Sequence, residues 1–242
     1  MAQLLAEARK TSQTAITTPR FRIDLSRDEV YEMLKGFYIN DVQDRNSGSF
    51  QDDEDTNKRL RMISGWLTSG KNRPSLLLYG GVGNGKTTMA HAIASTIDAL
   101  RDSARQVEKS KAYGYTLTPE EKEEYCLLRK FGTLPSPKII TAQKLAWMAK
   151  NDEETYRKVA EAKFLIIDDL GCEPVSVKNY GTEITPVTDI IYQRYETMST
   201  TIVTTNLDKK DIRNLYGLRV SDRIEEAYDS IAFTKDSYRT KR

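Results

Sequence analysis

The feature that most constrains the fold is a glycine-rich segment that follows a short apolar run, residues 76–79. The segment matches the pattern G-x-x-x-x-G-K-[ST] and leads into a stretch that predicts a helix from Lys86 to about Leu100. Its residues are Gly80, Gly81, Val82, Gly83, Asn84, Gly85, Lys86, Thr87 and Thr88. Glycines let the backbone N–H groups of such a loop surround a phosphate chain, and the N-terminus of the helix favours negative charge. The segment therefore predicts an ATP and Mg²⁺ site, in which Lys86 reaches the β- and γ-phosphates and the Thr87 hydroxyl ligates the metal.

An acidic strand end is the second candidate for this site. Residues 164–167 are apolar and lead into Asp168 and Asp169, which is the pattern of a Walker B strand in P-loop proteins. We expect Asp168 to hold Mg²⁺ and Asp169 to polarise the attacking water, because neighbouring side chains of a regular strand point to opposite faces. Aspartate in place of glutamate shortens the reach of the base, so the pattern leaves the rate of hydrolysis open.

Polar and basic residues late in the chain complete the candidate site. Asn206 follows a β-branched run, residues 201–205, and suits a sensor 1 residue that orients the attacking water or a simple turn residue. Arg219 and Arg223 lie four residues apart and share one face of a predicted helix. They suit either an arginine finger for the γ-phosphate of a neighbouring subunit or a solvated basic pair.

Apolar runs alternate with helical stretches along most of the chain, which predicts an α/β fold with a parallel sheet flanked by helices. A capping-box pattern from Ser26 to Glu29 predicts a short helix ahead of them. We assign residues 1–57 to a small helical N-terminal region with its linker, and residues 58–242 to the main domain with an insertion at 101–137. Strands are predicted at 76–79, 138–141, 164–167, 201–205 and 230–233, and helices at 58–67, 86–100, 143–150, 186–197 and 208–228.

Composition excludes several other classes of protein. The chain has 242 residues, which suits one sizeable domain with a small appendage. Its two cysteines and single histidine argue against a disulfide framework, a zinc site and a Ser-His-Asp triad. No apolar run approaches the roughly 20 residues of a membrane helix, and the N-terminus lacks the apolar core of a secretory signal. We therefore expect a cytoplasmic protein with no membrane partner.

The order of the motifs resembles that of a known family. The phosphate loop, the acidic strand and Thr-Thr-Asn are followed by R-x-x-D-R at 219–223 and D-S-Y-R at 236–239. Over roughly residues 60–242 this order resembles the AAA+ helicase loaders of the DnaC/DnaI type, and IstB-type transposition helper ATPases share most of it. The resemblance implies a P-loop NTPase of the AAA+ (ASCE) type without a large C-terminal lid. It also implies that Arg223 is the arginine finger, Arg219 its neighbour and Arg239 the sensor 2 residue.

By this resemblance, the chain is an ATP-dependent helicase loader that binds single-stranded DNA and delivers a replicative helicase in DNA replication. Hydrolysis would be slow, stimulated by DNA or partner, and dependent on self-association, since finger and catalytic site would lie on different subunits. Residues 1–57 would contact the helicase, a role that no residue match transfers. Two segments offer positive charges and rings for DNA, although core packing is equally compatible with the tryptophan. Their candidate DNA-binding residues are Lys144, Trp147 and Lys150, and Ser176, Lys178 and Tyr180.

Three alternatives to a loader stay open on the sequence. An IstB-like helper ATPase, which bridges transposase and target DNA, shares most of the motifs. A P-loop small-molecule kinase would need an arginine-bearing lid, for which the insertion offers Arg101, Arg105 and Arg129. A nucleotide-dependent adaptor would bind ATP tightly and scarcely hydrolyse it, which aspartate at position 169 allows.

Overall fold

The computed structural model describes most of the chain as one series of helices and strands. It leaves out residues 1–19, 47–49, 51, 113–117, 120–122, 124–125, 127, 180 and 235–242. The described helices are α1 (Arg27–Asn46), α2 (Glu54–Ser69), α3 (Lys86–Ala112), α4 (Ala142–Asn151), α5 (Glu153–Ala160), α6 (Pro186–Glu196), α7 (Lys209–Tyr216) and α8 (Leu218–Ala227). The strands are β1 (Ser75–Gly80), β2 (Lys138–Thr141), β3 (Phe164–Leu170), β4 (Val177–Asn179), β5 (Thr182–Ile184), β6 (Thr200–Thr205) and β7 (Tyr228–Phe233), and a 3₁₀ turn covers Arg129–Thr133.

The five-stranded sheet is parallel throughout and has the order β2-β3-β6-β1-β7. This confirms the predicted α/β fold with a parallel sheet flanked by helices. Because the strands are parallel, their carboxyl ends meet at one edge, where ligands bind in open α/β sheets. The glycine-rich loop after β1, the acids of β3 and Asn206 after β6 therefore come together, with β6 between the other two strands.

Apolar residues of the strands are shared between two cores, one on each face of the sheet. On β1, Leu76 and Leu78 pack in the core that includes Ile93 of α3, whereas Leu77 packs in the core that includes Ile190 of α6. This alternation is the two-residue period of a strand, and burial on both faces explains why the strand sequences are continuous apolar runs.

Helix α1 belongs to the first of these cores. Ser26 and Glu29 form the predicted capping box, in which the Ser26 N–H donates to Glu29 Oε2 at 2.8 Å and the Glu29 N–H donates to Ser26 Oγ at 3.2 Å. Val30 and Leu34 are fully buried in the core that α3 also lines. The proposed boundary at residue 57 therefore lies inside α2. Helices α1 and α2 both share one core with the sheet.

Several predicted helix bounds differ from the structure. Helix α2 begins at Glu54, because the Asp53 carboxylate accepts a hydrogen bond from the Thr56 N–H and caps it. Helix α3 continues to Ala112, so the start of the predicted insertion is helical, and the middle of the insertion is largely outside the described residues. The single helix predicted at 208–228 is wrong. It is two helices separated at Gly217, whose φ of 86° suits glycine and breaks the helical ladder.

Two short elements lack a sequence signal. Helix α5 has eight residues and carries two i,i+4 ion pairs, Arg157–Glu153 and Lys158–Glu154, on an exposed surface. Strands β4 and β5 have three residues each and form an antiparallel hairpin beyond β3. Both elements are too short for an apolar period to appear.

Among the described residues, no helix combines the length and apolar character that a membrane crossing requires.

Candidate nucleotide-binding site

Lys86 lies at the centre of the candidate site and is only 6% exposed. Its Nζ donates hydrogen bonds to the carbonyl oxygens of Gly80 at 2.9 Å and Gly81 at 2.6 Å, and to Asn206 Oδ1 at 2.9 Å. Burial lowers the pKa of Lys86, and the nearby charges of Asp169 and Asp168 oppose that shift. The loop after β1 thus folds around an ammonium group that is held by oxygen atoms, the kind of atom a phosphate would also present.

Thr87 and Asp168 form the candidate Mg²⁺ site. The Thr87 hydroxyl donates to Asp168 Oδ1 at 2.9 Å, and Asp168 is buried. A hydroxyl and a carboxylate are hard oxygen ligands, and Mg²⁺ in nucleotide sites takes one or two such groups together with phosphate oxygens and water. Within the described residues, no group of three or more His, Cys, Asp or Glu side chains forms a metal cage. The residues present fit a metal that arrives with the nucleotide.

The structure adds Thr204, which the sequence analysis missed, to these residues. Its hydroxyl donates to Asp168 Oδ1 at 2.6 Å and accepts a hydrogen bond from the Asp169 N–H at 2.9 Å. Thr204 therefore fixes both acids from the neighbouring strand β6. The sequence signal was present only as a threonine two residues before Asn206, and its partner depends on which strands are neighbours.

Asp169 does not continue a regular strand. Its φ is 56°, a left-handed conformation that Asp tolerates better than most residues, and the β3–β6 register shifts between Ile167 and Leu170. The expectation that the two acids alternate on a regular strand is wrong, because the bulge interrupts the alternation. The negative charge of Asp169, like that of Asp168, counteracts the lowering of the Lys86 pKa by burial.

These contacts bring four of the predicted site residues together in two pairs, Lys86 with Asn206 and Thr87 with Asp168. Asn206 is exposed at the end of β6 and accepts its hydrogen bond from Lys86. Within the loop, Val82 is exposed at 62%, Gly83 and Thr88 are half-buried, and Asn84 is buried. The chain has a P-loop NTPase fold.

The P-loop is anchored to the end of β7 and to the N-terminal helix. Asn84 Nδ2 donates to the Phe233 carbonyl oxygen at 2.8 Å. Gly80 has a φ of 137°, and a Cβ there would collide with the same carbonyl, so only glycine allows this close approach. A Cβ at Gly85 would lie 2.5 Å from the hydroxyl of Tyr38, which belongs to α1. The sequence analysis missed Tyr38 because a local motif carries no signal for a helix that packs onto it.

The two late arginines lie on α8 and differ in their surroundings. The Arg223 guanidinium lies 4.2 Å from the ring centroid of Tyr195 and forms an ion pair with Glu226 at 3.6 Å. Arg219, one turn earlier, is exposed. Among the described residues, no hydrogen bond or ion pair joins either arginine to Asp168. Arg239 is outside the residues that the structure describes.

The two predicted DNA segments lie against each other. Trp147 on α4 is 51% exposed, and the Lys144 Nζ lies 3.9 Å from its ring centroid. The hairpin β4–β5 contacts the end of α4, where Asn179 Nδ2 donates to the Ala149 carbonyl oxygen at 3.1 Å. Core packing is thus not the role of Trp147. In the same region, Lys150 and Lys178 are exposed, Ser176 donates a hydrogen bond to Glu183, and Tyr180 is outside the described residues.

The insertion's first arginine is part of the P-loop helix. Arg101 is 8% exposed and forms ion pairs with Asp98 at 2.9 Å and Asp102 at 3.3 Å. A kinase lid needs arginines that close over an acceptor, whereas this one is held on α3 by two carboxylates.

Comparisons with known proteins give structural likenesses. No family model matches the chain, and no curated protein matches it either. It is similar to a solved structure of the DnaC helicase loader, with 18% identity, a TM-score of 0.49, and coverage of 81% of this chain and 97% of that one. The solved structure of DnaI has 19% identity and a TM-score of 0.49, and the match covers 77% of this chain and 89% of that one. The structure of AMPPCP-bound DnaA from Aquifex aeolicus has 16% identity and a TM-score of 0.44, and the match covers 76% of this chain and 48% of that one.

Proposed function

We propose that the chain is an ATP-dependent helicase loader that binds single-stranded DNA and delivers a replicative helicase in DNA replication. The observation that carries the ATPase part is the cluster in which Lys86 contacts Asn206 while Thr87 contacts Asp168. The loader part rests on the order of the motifs, which resembles DnaC/DnaI-type proteins. We propose the cytoplasm as its location, and residues 1–57 as the region that contacts the helicase.

Phosphate binding exchanges the present partners of Lys86 for those of the substrate. The ammonium group leaves the carbonyl oxygens of Gly80 and Gly81 and binds β- and γ-phosphate oxygens, while the backbone N–H groups of the loop surround the phosphates. Thr87 and Asp168 would hold Mg²⁺, which neutralises charge that develops on the phosphates when it is bound. Since the anion adds negative charge beside a desolvated lysine, binding also favours the charged form of Lys86.

Asp169 and Asn206 act on the attacking water in this proposal. The Asn206 side chain, already bonded to Lys86, orients the water toward the γ-phosphate, and the Asp169 carboxylate accepts its proton. Thr204 holds the Asp169 backbone in its left-handed conformation, which keeps the direction of the carboxylate fixed. Arg223, with Arg219 beside it, acts on the γ-phosphate of a neighbouring subunit, and an ATP-dependent oligomer is therefore the active form.

Hydrolysis of ATP with and without single-stranded DNA tests the proposed function. We expect slow turnover by the chain alone and an increase of about three- to tenfold with DNA, since ordering of subunits on the strand completes the shared sites. Lys86→Ala serves as the control for contaminating ATPases and should show no turnover. DNA-independent turnover that persists in Arg223→Ala would contradict the loader and favour a kinase or an isolated switch. Tight ATP binding without turnover, with or without DNA, would favour the adaptor.

Trp147→Ala should weaken binding of single-stranded DNA by about 5- to 150-fold, because stacking of one base on an aromatic ring contributes about 1–3 kcal/mol. Fluorescence anisotropy of a labelled oligonucleotide at fixed salt measures the change. Met62→Ala is the matched control, since Met62 is 44% exposed on α2, outside the two segments. Equal affinity of Trp147→Ala and Met62→Ala would exclude α4 from the DNA surface.

A further inference from the structure

A buried carboxylate that the proposed ATPase mechanism does not use lies just beyond the Walker B residues. Glu173 is 6% exposed. One of its oxygens accepts a hydrogen bond from the Tyr216 hydroxyl, and the other accepts one from the Gly171 N–H at 2.9 Å. Both donors are neutral groups. A buried carboxylate whose hydrogen-bond donors are neutral is costly to keep, which points to a role other than stability.

One end of this arrangement is joined to the turn that follows Asp169. Glu173 is four residues beyond Asp169, and the turn between them is closed by a hydrogen bond from the Cys172 N–H to the Asp169 carbonyl oxygen at 3.2 Å. The bond from Gly171 to Glu173 closes the next step of the same turn. One backbone hydrogen bond and one backbone-to-carboxylate hydrogen bond therefore connect Asp169 to the Glu173 side chain.

The other end reaches the helix that carries the arginines. Tyr216 is the last residue of α7 and precedes Gly217, where the chain breaks before α8 begins. Glu225 of α8 forms an ion pair with Lys209 of α7 at 3.6 Å. Burial, and next the hydrogen bond with Glu173, raise the pKa of Tyr216 above its ordinary value, so its hydroxyl stays protonated at neutral pH. The phenol can then act as a permanent donor at the end of α7, beside the break that precedes α8.

We propose that Glu173 and Tyr216 form a positioning link that transmits a shift of the Walker B turn to helix α8. The link rests on the proposed function. ATP binding to one subunit changes the position of Asp168 and Asp169, and the link turns that change into a change in the arginines offered to the next subunit. Glu173 and Tyr216 are positioning residues, since neither touches the bound nucleotide in this mechanism.

Hydrogen exchange in the full chain, at a concentration where light scattering shows a monomer, tests the link without any need for turnover. Peptides from α3 report on the P-loop, and peptides from α8 report on the arginine helix. In the natural sequence, ATP with Mg²⁺ should slow exchange in both. In Tyr216→Phe, the α3 response should stay, and the α8 response should fall by at least half because the ring is kept but the donor is lost.

Tyr156→Phe is the matched control for loss of a hydrogen bond that a tyrosine donates between two elements, and Tyr156 is half-buried. The Tyr156 hydroxyl donates to the Pro186 carbonyl oxygen at 2.8 Å, which joins α5 to α6 rather than to α8. It should keep the α8 response, whereas a general loosening of the fold would reduce the response in both variants. Glu173→Gln, which keeps one acceptor for two donors, should reproduce the loss and replaces Tyr216→Phe if that variant does not fold.

The possible results separate the link from the function on which it rests. An α8 response that is as large in Tyr216→Phe as in the natural sequence overturns the link and leaves the ATPase proposal intact. The same holds if α3 responds to ATP and α8 does not in the natural sequence. A lack of response in α3 itself would overturn ATP binding, and with it the link.

Discussion

Arg223→Ala should lower the rate of ATP hydrolysis by about 10³-fold or more, since an arginine finger contributes about 10³–10⁵ to turnover. ATP binding, measured by titration with a fluorescent nucleotide, should change little, because the finger acts on the site of the neighbouring subunit. Arg213→Ala is the matched control. Arg213 is an exposed arginine on the adjacent helix α7, and its removal should leave the rate within about twofold, as is usual for surface positions.

Mixing the inactive Arg223→Ala and Lys86→Ala subunits decides whether the finger acts across an interface. One subunit keeps its phosphate site and the other keeps its finger, so about a quarter of the interfaces in a random 1:1 mixture should be complete. The restored rate should therefore approach a quarter of the natural one. No restoration would contradict a finger donated in trans. Restoration with Arg219→Ala in place of Arg223→Ala, and not with Arg223→Ala, would assign the finger to Arg219 instead.

Arg194→Met should lower the free energy of unfolding by about 3–5 kcal/mol, because removing a buried charged donor leaves its partners without hydrogen bonds. Arg194 is 2% exposed on α6. Its guanidinium donates to Thr201 Oγ1 at 2.6 Å and to the carbonyl oxygens of Ala160 at 2.9 Å, Ala162 at 2.7 Å and Thr200 at 2.6 Å. It thereby joins the end of α5 to the start of β6, and burial lowers its pKa to about 10.

Urea unfolding followed by circular dichroism measures this loss, with Arg213→Met as the exposed control that should change stability by less than about 0.5 kcal/mol. Arg194→Lys should recover only part of the loss, since a single ammonium group cannot reach acceptors on both sides of a planar guanidinium. A stability of Arg194→Met equal to that of the control would show that water replaces the guanidinium at no cost, contrary to its burial.

Most of the candidate site could be predicted from the sequence because its groups occupy strand ends and local motifs. Lys86 and Thr87 follow the loop after β1, while Asp168 and Asn206 lie at the ends of β3 and β6, and a parallel sheet brings such ends to one edge. Their roles in hydrolysis stay predictions. What could not be predicted was the left-handed Asp169, because a bulge depends on the register that two strands adopt.

Helix bounds and exposure show the same division. The 3.6-residue period predicted helix across 208–228, but it does not report the positive φ that Gly217 adopts between two helices. The sequence around Trp147 is compatible with either a buried or an exposed tryptophan. Packing of α4 against the sheet through Leu145 leaves the tryptophan on the outside, where Lys144 covers part of its ring.

The phosphate-binding loop can be predicted from contiguous residues. Its glycines, helix N-terminus and lysine act through the local backbone, whose conformation is set by residues that are neighbours in the sequence. The contacts that support the loop and the acidic residues of β3 and the turn after it are of another kind. Thr204 on Asp168, Phe233 on Asn84 and Tyr216 on Glu173 are pairs separated by 36, 149 and 43 residues. Such pairs exist only once strand order and register are set, since a hydrogen bond between distant residues depends on where whole elements pack. Tertiary structure alone therefore decided which distant groups hold the candidate site residues in place.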